Sequence, residues 1–543
     1  SQDDERGSRR NGPDGQHPQS VGRSGGPITG LLGEGTLDGD DRTEHDVQRT
    51  APPAVADGLS RGAGLSRGVG GERRAGGPGS LGRVSVPIVA VIGGGQLARM
   101  MQEEASALGV HLRALVEAPD GSTAQVTVDG PVGRADDAEA VRALVNGSAG
   151  SAGSAGSAGS AGSAGAPRPG TGAVALQSVG RADALTFEHE HQDSALLERL
   201  QAEGVSVQPT ANALLLARDK LAMRRAIDEA GLPQPVWAEV GGDAPAMAEQ
   251  IGAFGDRHGW PVVLKTPRGG YDGHGVLLVD GPQDLDDGAD SPAASWIAEV
   301  AAARAGRASA GAGGGGSLGG GAVTSLLVEQ AVPFTRELAV LLARSPGGEL
   351  RTWPVAQTVQ DGGICSEVVA PAPGLEEAAV AQAQEIGRTV AERFGVTGVL
   401  AVELFAVETA GRPTALYVNG LAMRPHNAGH WTQDGAVTSQ FAQHVRAVLD
   451  LPLGSPEPTA PVTVMVNVLG GRAEPDDDAL ARALALEPQA RVHMYGKGWR
   501  PGRKLGHVNL VVAGDPGSCA PSEAIADALA RARAVAAILS GDA

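Results

Sequence analysis

Apolar positions in this chain form short, nearly continuous runs separated by stretches with helical spacing, and that alternation predicts its elements. Order begins at residues 86–92, Val-Pro-Ile-Val-Ala-Val-Ile, an unbroken run of the kind a buried strand shows. Residues 98–108 follow at helical spacing, and 110–116 form a second apolar run ending at Glu117. A short strand is predicted at 184–187, a helix at 195–202 and another short strand at 205–207. Residues 212–230 predict one amphipathic helix with Leu214, Leu215, Leu221, Met223 and Ile227 inward, stopped by Gly231-Leu-Pro233. Strands are predicted at 261–264, 276–279, 325–329, 336–343, 399–405 and 415–418, the last ending at Asn419-Gly420, with a helix at 375–394. The remainder is β-rich, with strands at 462–468, 491–495 and 507–512 before a closing helix at 521–539.

Three stretches carry no such pattern. Residues 1–84 are rich in Gly, Arg, Asp and Ser and are expected to be a disordered extension. Residues 148–165 are a perfect Ser-Ala-Gly repeat, expected as a flexible insertion. Residues 280–322 combine Asp runs, Ala-rich segments and a glycine tract at 311–321; a second low-complexity insertion is expected, with one helix at 293–303. Composition agrees, because 81 Gly and 3% aromatics leave much of the 543 residues unable to bury a core. The net charge of −19 argues against nucleic-acid binding, which needs a basic face, but leaves room for small anions held by a local cluster. Cys365 and Cys519, two cysteines in all, give no disulfide framework or metal cluster and point to a reducing, cytoplasmic setting. No apolar run approaches a membrane span, and residues 1–10 lack a signal-peptide core, so no membrane partner is expected.

The chemistry concentrates at residues 260–276, where an apolar strand ends at Lys265 and four glycines follow: Gly269, Gly270, Gly273 and Gly275. A strand–glycine loop–strand with a lysine at its mouth can fold backbone N–H groups over phosphates. It is not a Walker loop, since no Gly-Lys-Ser/Thr closes it; a glycine-rich hairpin with a solvated lysine is the plain alternative. Gly93-Gly-Gly-Gln-Leu-Ala98 is a G-x-G-x-x-A turn, which could serve a dinucleotide, any phosphate or nothing. A nicotinamide oxidoreductase built on it would leave the lysines and Glu403 without a role. Glu188-His-Glu-His191 suggests a metal at first sight, but with no partner ligands at suitable spacing a strand-end carboxylate facing a substrate fits better. Glu403 lies on an apolar strand, where a carboxylate needs a partner or a cation. Arg424-Pro-His-Asn-Ala-Gly-His430 is too polar for a mere turn, although His426 and His430 could be core histidines. Lys497, Arg500, Arg503 and Lys504 form a basic cluster, read either as a solvated hairpin tip or as a phosphate site.

Taken in order, residues 265–275, 93–100, 424–430 and 502–507 resemble the ATP-grasp superfamily, and within it the bacterial 5-(carboxyamino)imidazole ribonucleotide synthase family. The resemblance covers about 86–540 apart from the insertions. It implies a mixed α/β and α+β fold: a Rossmann-like preATP-grasp domain at 85–210, a two-lobed ATP-grasp domain at 211–455 and a small C-terminal β-rich domain at 456–543. It implies ATP-dependent carboxylation of aminoimidazole ribonucleotide with bicarbonate, through carboxyphosphate, in purine biosynthesis. Lys220 and Lys265 would meet the ATP phosphates under a lid made of Gly270, Tyr271, Asp272, Gly273, His274, Gly275 and Val276. Glu329, Gln330, Ala331 and Val332 would read adenine, Glu337 would hold the ribose, and Gln360 falls among the ATP contacts. Glu403 and Asn419, with Gly420, occupy the positions for magnesium, or manganese in its place. Gln96, Leu97, Glu190, Asn427, Lys497, Arg503 and Lys504 would hold the ribonucleotide, while Arg424, Tyr271 and Asp272 would be catalytic. The family further implies a homodimer and a functional link to the mutase that acts on the product.

The chain departs from the family pattern in three places. Asn419-Gly420 replaces Asn-Glu, so a metal-ligating carboxylate is missing. Ala422-Met-Arg424 replaces Ala-Pro-Arg, and Gln360 stands where many members carry histidine. An active ligase and a catalytically impaired nucleotide-binding protein are therefore both expectations, with a formate-using glycinamide ribonucleotide transformylase as a third.

Overall fold

The computed structural model describes residues 86–147, 180–270, 275–286, 291–306 and 323–542. The expected tail at 1–84, the Ser-Ala-Gly repeat at 148–165 and the glycine tract at 311–321 lie outside the described residues.

Three sheets organise the chain. The first is parallel, with Ile88–Ile92 between His111–Leu115 and Ala184–Phe187. Every residue of the central strand is buried, which is why it reads as one apolar run. Helix Gln96–Leu108 follows it directly, starting two residues before the predicted helix. The second sheet is antiparallel, in the order Trp237–Val240, Leu326–Gln330, Val262–Lys265, Val276–Val279. Helix Ala244–His258 covers it with Met247, Ile251 and Phe254. Helix Pro292–Arg304, inside the supposed insertion, adds Ala293, Ile297 and Val300 to the same core.

The third sheet is the largest, with nine strands. Its path runs Ala415–Ala422, Gly398–Val407, Arg336–Arg344, Ala356–Asp361, Ile364–Ala370, Val462–Leu469, Lys504–Val512, Arg491–Met494, and Leu350–Thr352 pairs off it. The C-terminal strands therefore extend this sheet through the pairing of Ile364–Ala370 with Val462–Leu469. Both faces of its centre are covered: Leu338, Val340 and Leu342 face helix Glu377–Arg393, and Leu341 and Ala343 face the opposite way. Burial on both faces makes the predicted strand at 336–343 nearly continuous in apolar residues.

Two predicted elements need correction. The single helix at 212–230 is two helices, Ala211–Arg218 and Lys220–Ala230, broken at Asp219. The Asp219 carboxylate accepts the amides of Leu221 and Ala222 at 3.0 Å, so it caps a new helix at a point where the apolar spacing runs on undisturbed. The break puts Lys220 on the first turn and lets its amide donate to the Pro267 carbonyl, at 2.8 Å, beside the glycine loop. The strand predicted to stop at 418 continues to Ala422. Glu403 pairs with Gly420 while Leu404 pairs with Val418, which leaves Asn419 as the extra residue of a bulge. A bulge re-aims its side chain, and here Asn419 turns toward the second sheet.

Candidate active site

Where the second sheet meets the edge of the third, four side chains form a closed buried network. Lys265, at the end of its strand, puts Nζ 2.7 Å from Glu329 Oε2 and donates to Asn419 Oδ1 at 3.2 Å. The other carboxylate oxygen of Glu329 accepts from Arg224 Nε at 2.6 Å. Arg224 is 0% exposed and also donates to the carbonyls of Val418, at 2.7 Å, and Asn419, at 3.2 Å. Burial by itself would raise the Glu329 carboxyl, but Lys265 and Arg224 overcome it and hold the group down at about 2. Lys220 lies close enough to feel the charge of Lys265; burial and that charge bring it down to about 8. Two ammonium groups and an amide thus face the mouth of the glycine loop, a donor set suited to phosphate oxygens. Arg224 carries no sequence motif, and its one signal is a charge between the inward residues Met223 and Ile227.

The segment Glu329, Gln330, Ala331 and Val332 spans the end of strand Leu326–Gln330. The Glu329 side chain is engaged by Lys265 and Arg224. Glu337 is on strand Arg336–Arg344 of the third sheet, paired with Phe405 and so on the same face as Glu403. Burial, then the charge of Glu403, raises Glu337 to about 7, against a hydrogen bond from Gln360. Phe334 stacks on Phe405 at 4.6 Å between ring centres, giving the same face an apolar wall. Gly275 and Val276 lie at the far end of the glycine loop, and the Gly275 carbonyl accepts from the Thr266 amide at 3.0 Å. Gly270 is described, but Tyr271, Asp272, Gly273 and His274 lie outside the described residues.

Glu403 is the one acid of its strand, and its side chain is 38% exposed. His426 Nε2 is 3.5 Å from its Oε1. Burial first, then Arg424 and Lys504, hold the His426 imidazole down at about 3, so it faces Glu403 uncharged. A Cβ on Gly420 would lie 2.7 Å from Glu403 Oε2. Among the described residues no group of three His, Cys, Asp or Glu could hold a metal ion. One carboxylate with Asn419 nevertheless fits magnesium, which keeps several waters and takes substrate phosphates as ligands.

The ribonucleotide candidates divide. Arg424 Nε is 2.9 Å from Glu190 Oε2, joining the loop after the third sheet to the end of the first. Lys497 donates to the side chain of Gln96 and feels the charges of Arg500, Arg503 and Lys504, so the basic cluster is one local field. Arg503 donates to the Gly498 carbonyl at 2.9 Å. Asn427 donates to the Cys365 carbonyl at 3.3 Å. The Leu97 side chain is buried in the core at 5% exposure, which leaves its amide as the group turned toward Glu188. That amide donates at 3.2 Å to Glu188, which also accepts the Gly95 amide. The first helix turn is therefore filled by the chain's own carboxylate, which leaves no place there for a dinucleotide phosphate. A Cβ on Gly95 would collide with that carboxylate, which accounts for glycine at this position. Of the two acids in Glu188-His-Glu-His191, Glu188 caps the helix turn and Glu190 faces Arg424.

Below the loop, His430, His507 and His493 stack at 4.7 and 4.6 Å. Tyr495 and His507 share a hydrogen bond of 2.8 Å. Burial holds His430 and His507 well below the usual 6.5, and holds His444 at about 3. His444, missed in the sequence, joins the first and third sheets through Thr186 at 2.8 Å and the Val399 amide at 3.0 Å. The unfolded chain protonates these rings below 6.5 and the fold does not, so their stabilisation is complete above that pH and declines below it. The urea midpoint should therefore fall as the pH drops from roughly 6.5 to 5, since three depressed histidines outweigh the opposite contribution of the raised Glu337 carboxyl, and His444→Gln should flatten the decline. A midpoint independent of pH across that window would refute the assignment.

Comparison with known proteins bears on the same regions. The family models for a ribonucleotide synthetase preATP-grasp domain, an ATP-grasp domain and a phosphoribosylaminoimidazole carboxylase C-terminal domain match residues 87–149, 225–441 and 463–516. The N5-carboxyaminoimidazole ribonucleotide synthase of Mycobacterium tuberculosis is 41% identical over 450 residues, covering 82% of this chain and 89% of its own. The N5-carboxyaminoimidazole ribonucleotide synthetase structure from Thermus thermophilus is 31% identical at a TM-score of 0.61, covering 82% of this chain and 98% of that one. The Aspergillus clavatus enzyme, solved with ADP and 5-aminoimidazole ribonucleotide, is 26% identical at a TM-score of 0.63, covering 84% and 99%.

Proposed function

This chain belongs to the N5-carboxyaminoimidazole ribonucleotide synthase family of ATP-grasp enzymes, and from that premise we propose how its residues divide the work. The protein is an ATP-dependent ligase that carboxylates 5-aminoimidazole ribonucleotide in purine biosynthesis. The supporting observation is that Lys220, Lys265 and Asn419 converge near Glu403, while Arg424 and the Lys497 cluster gather around the end of the first sheet.

Bicarbonate is a weak electrophile. Its oxygen attacks the γ-phosphorus, ADP leaves, and carboxyphosphate forms; the ribonucleotide amine then takes the carboxyl and phosphate departs with the proton. Lys220 and Lys265 bind the phosphates and offset the charge that builds on the leaving group. Glu337 takes the ribose hydroxyls. Glu403 and Asn419 hold magnesium, or manganese in its place, and a bound ion neutralises phosphate charge. Arg424 steadies the carboxyphosphate, oriented by Glu190. Lys497, Arg503 and Lys504 receive the ribonucleotide phosphate, with Gln96 and Asn427 beside it. By sequence position Tyr271 and Asp272 close over the amine and exclude water, which would hydrolyse carboxyphosphate. The family resemblance also supports a cytoplasmic homodimer whose product passes to a mutase.

Steady-state ADP release tests the assignment. Release should require both bicarbonate and aminoimidazole ribonucleotide, and nucleotide binding without ADP release in their presence would point to the impaired, nucleotide-binding reading that Gly420 raises. The variant Gly420→Glu supplies the missing carboxylate. It is expected to lower the magnesium concentration for half-maximal rate by about tenfold, since ligand charge count sets affinity for hard cations. A change below about twofold would mean that Glu403 and water already satisfy the ion.

A further inference from the structure

The reading of the nucleotide site leaves one fully buried charge without a task. Arg224 lies 0% exposed on helix Lys220–Ala230, one turn after Lys220. Its guanidinium reaches three other segments: Glu329 on the second sheet, the carbonyls of Val418 and Asn419 at the edge of the third, and Gln234 at 3.3 Å in the connection from its own helix to strand Trp237–Val240. Glu329, itself 1% exposed, therefore has two cationic partners, one on each carboxylate oxygen.

The two partners are not equivalent. Lys265 is on a strand end at the glycine loop, with a flexible stem and a compact ammonium. Arg224 is pinned by two backbone carbonyls and cannot leave. If Lys265 turns from Glu329 to a phosphate, the buried carboxylate keeps a charged partner only because Arg224 remains. Stranding a buried charge is costly, and a lysine whose departure would strand one stays where it is. The two carbonyls that fix Arg224 belong to the bulge that aims Asn419. The same group thus sets both the freedom of Lys265 and the orientation of Asn419.

We propose that Arg224 is a positioning residue: it is the standing counter-ion of Glu329 that lets Lys265 exchange that carboxylate for a nucleotide phosphate. The inference rests on the assignment of Lys265 to the ATP phosphates. It predicts a charge rescue that packing alone would not produce.

The test is calorimetric binding of ADP with magnesium to the full chain, beside thermal melting and titration with aminoimidazole ribonucleotide. Arg224→Met leaves Glu329 dependent on Lys265 and should weaken ADP binding by roughly 10- to 100-fold. Arg224→Lys keeps the charge but not the fork to the two carbonyls, and should bind ADP more tightly than Arg224→Met while falling short of the unaltered protein. The double variant Arg224→Met with Glu329→Gln removes the carboxylate charge that holds Lys265 and should recover most of the lost affinity. Ribonucleotide binding should hold in all three. The proposal is overturned if the double variant binds no better than Arg224→Met, or if Arg224→Met binds ADP like the unaltered protein. Should Arg224→Met not fold, Arg224→Lys and the double variant decide alone: weak ADP binding by both, in folded protein, refutes it. Unaltered protein that binds the ribonucleotide but no ADP would instead overturn the nucleotide-site assignment, and this inference with it.

Discussion

Glu403→Gln is expected to lower the rate of ribonucleotide-dependent ADP release by on the order of a hundredfold to a thousandfold, the range seen when one stabilising group is removed from a reacting centre. Glu403 sits on a strand whose other side chains are apolar, and its cross-strand partner is Gly420. Residue 420 can therefore contribute no carboxylate, and Glu403 and the Asn419 amide are the residues that would hold a magnesium ion. The amide isostere removes the charge without changing the volume. The ladder on both sides of the strand remains, and the uncharged His426 imidazole, 3.5 Å from the carboxylate, loses no ion pair. The thermal midpoint should thus hold while the rate collapses, and raising magnesium should restore little of it. A loss below about fivefold at saturating magnesium would remove Glu403 from the metal position.

Lys265→Met should cost a similar factor, about a hundredfold in kcat/KM for ATP, because a buried ammonium aimed at phosphate is worth more than an exposed one. What distinguishes it is the balance of charge left behind. Glu329 keeps Arg224 at 2.6 Å, so no bare carboxylate is buried. The fold should tolerate the change, with a thermal midpoint within a few degrees, on the scale of about 1 kcal/mol. Arg224→Met should melt earlier than Lys265→Met, since it also strips the Val418 and Asn419 carbonyls of their donor. Equal ATP kinetics in Lys265→Met and the unaltered protein would show that Lys265 serves Glu329 alone.

Local pattern carried much of this. Apolar runs were enough to predict the strands around Ile88–Ile92, Val262–Lys265, Gly398–Val407 and Val462–Leu469, because a strand buried on its faces has no polar positions to confuse its reading. Glu403 stands out for the same reason, as a charge within an apolar strand, and Lys265 as the lysine at the mouth of a glycine loop. The basic cluster at 497–504 was visible because its members are neighbours in sequence.

Tertiary structure decided what depends on partners far apart in the chain. Asp219 breaks a helix whose apolar spacing is continuous, because a capping carboxylate competes locally with helical hydrogen bonds. Asn419 became a bulge through a shifted pairing with Leu404 and Glu403, which no count along one strand reveals. Glu188 closes a turn 93 residues before it, and Arg224 meets partners 105 and 194 residues away. In each case the side chain itself is ordinary. A charge can be buried only against an opposite charge or a set of oriented dipoles, and which residues supply them is fixed when the sheets come together.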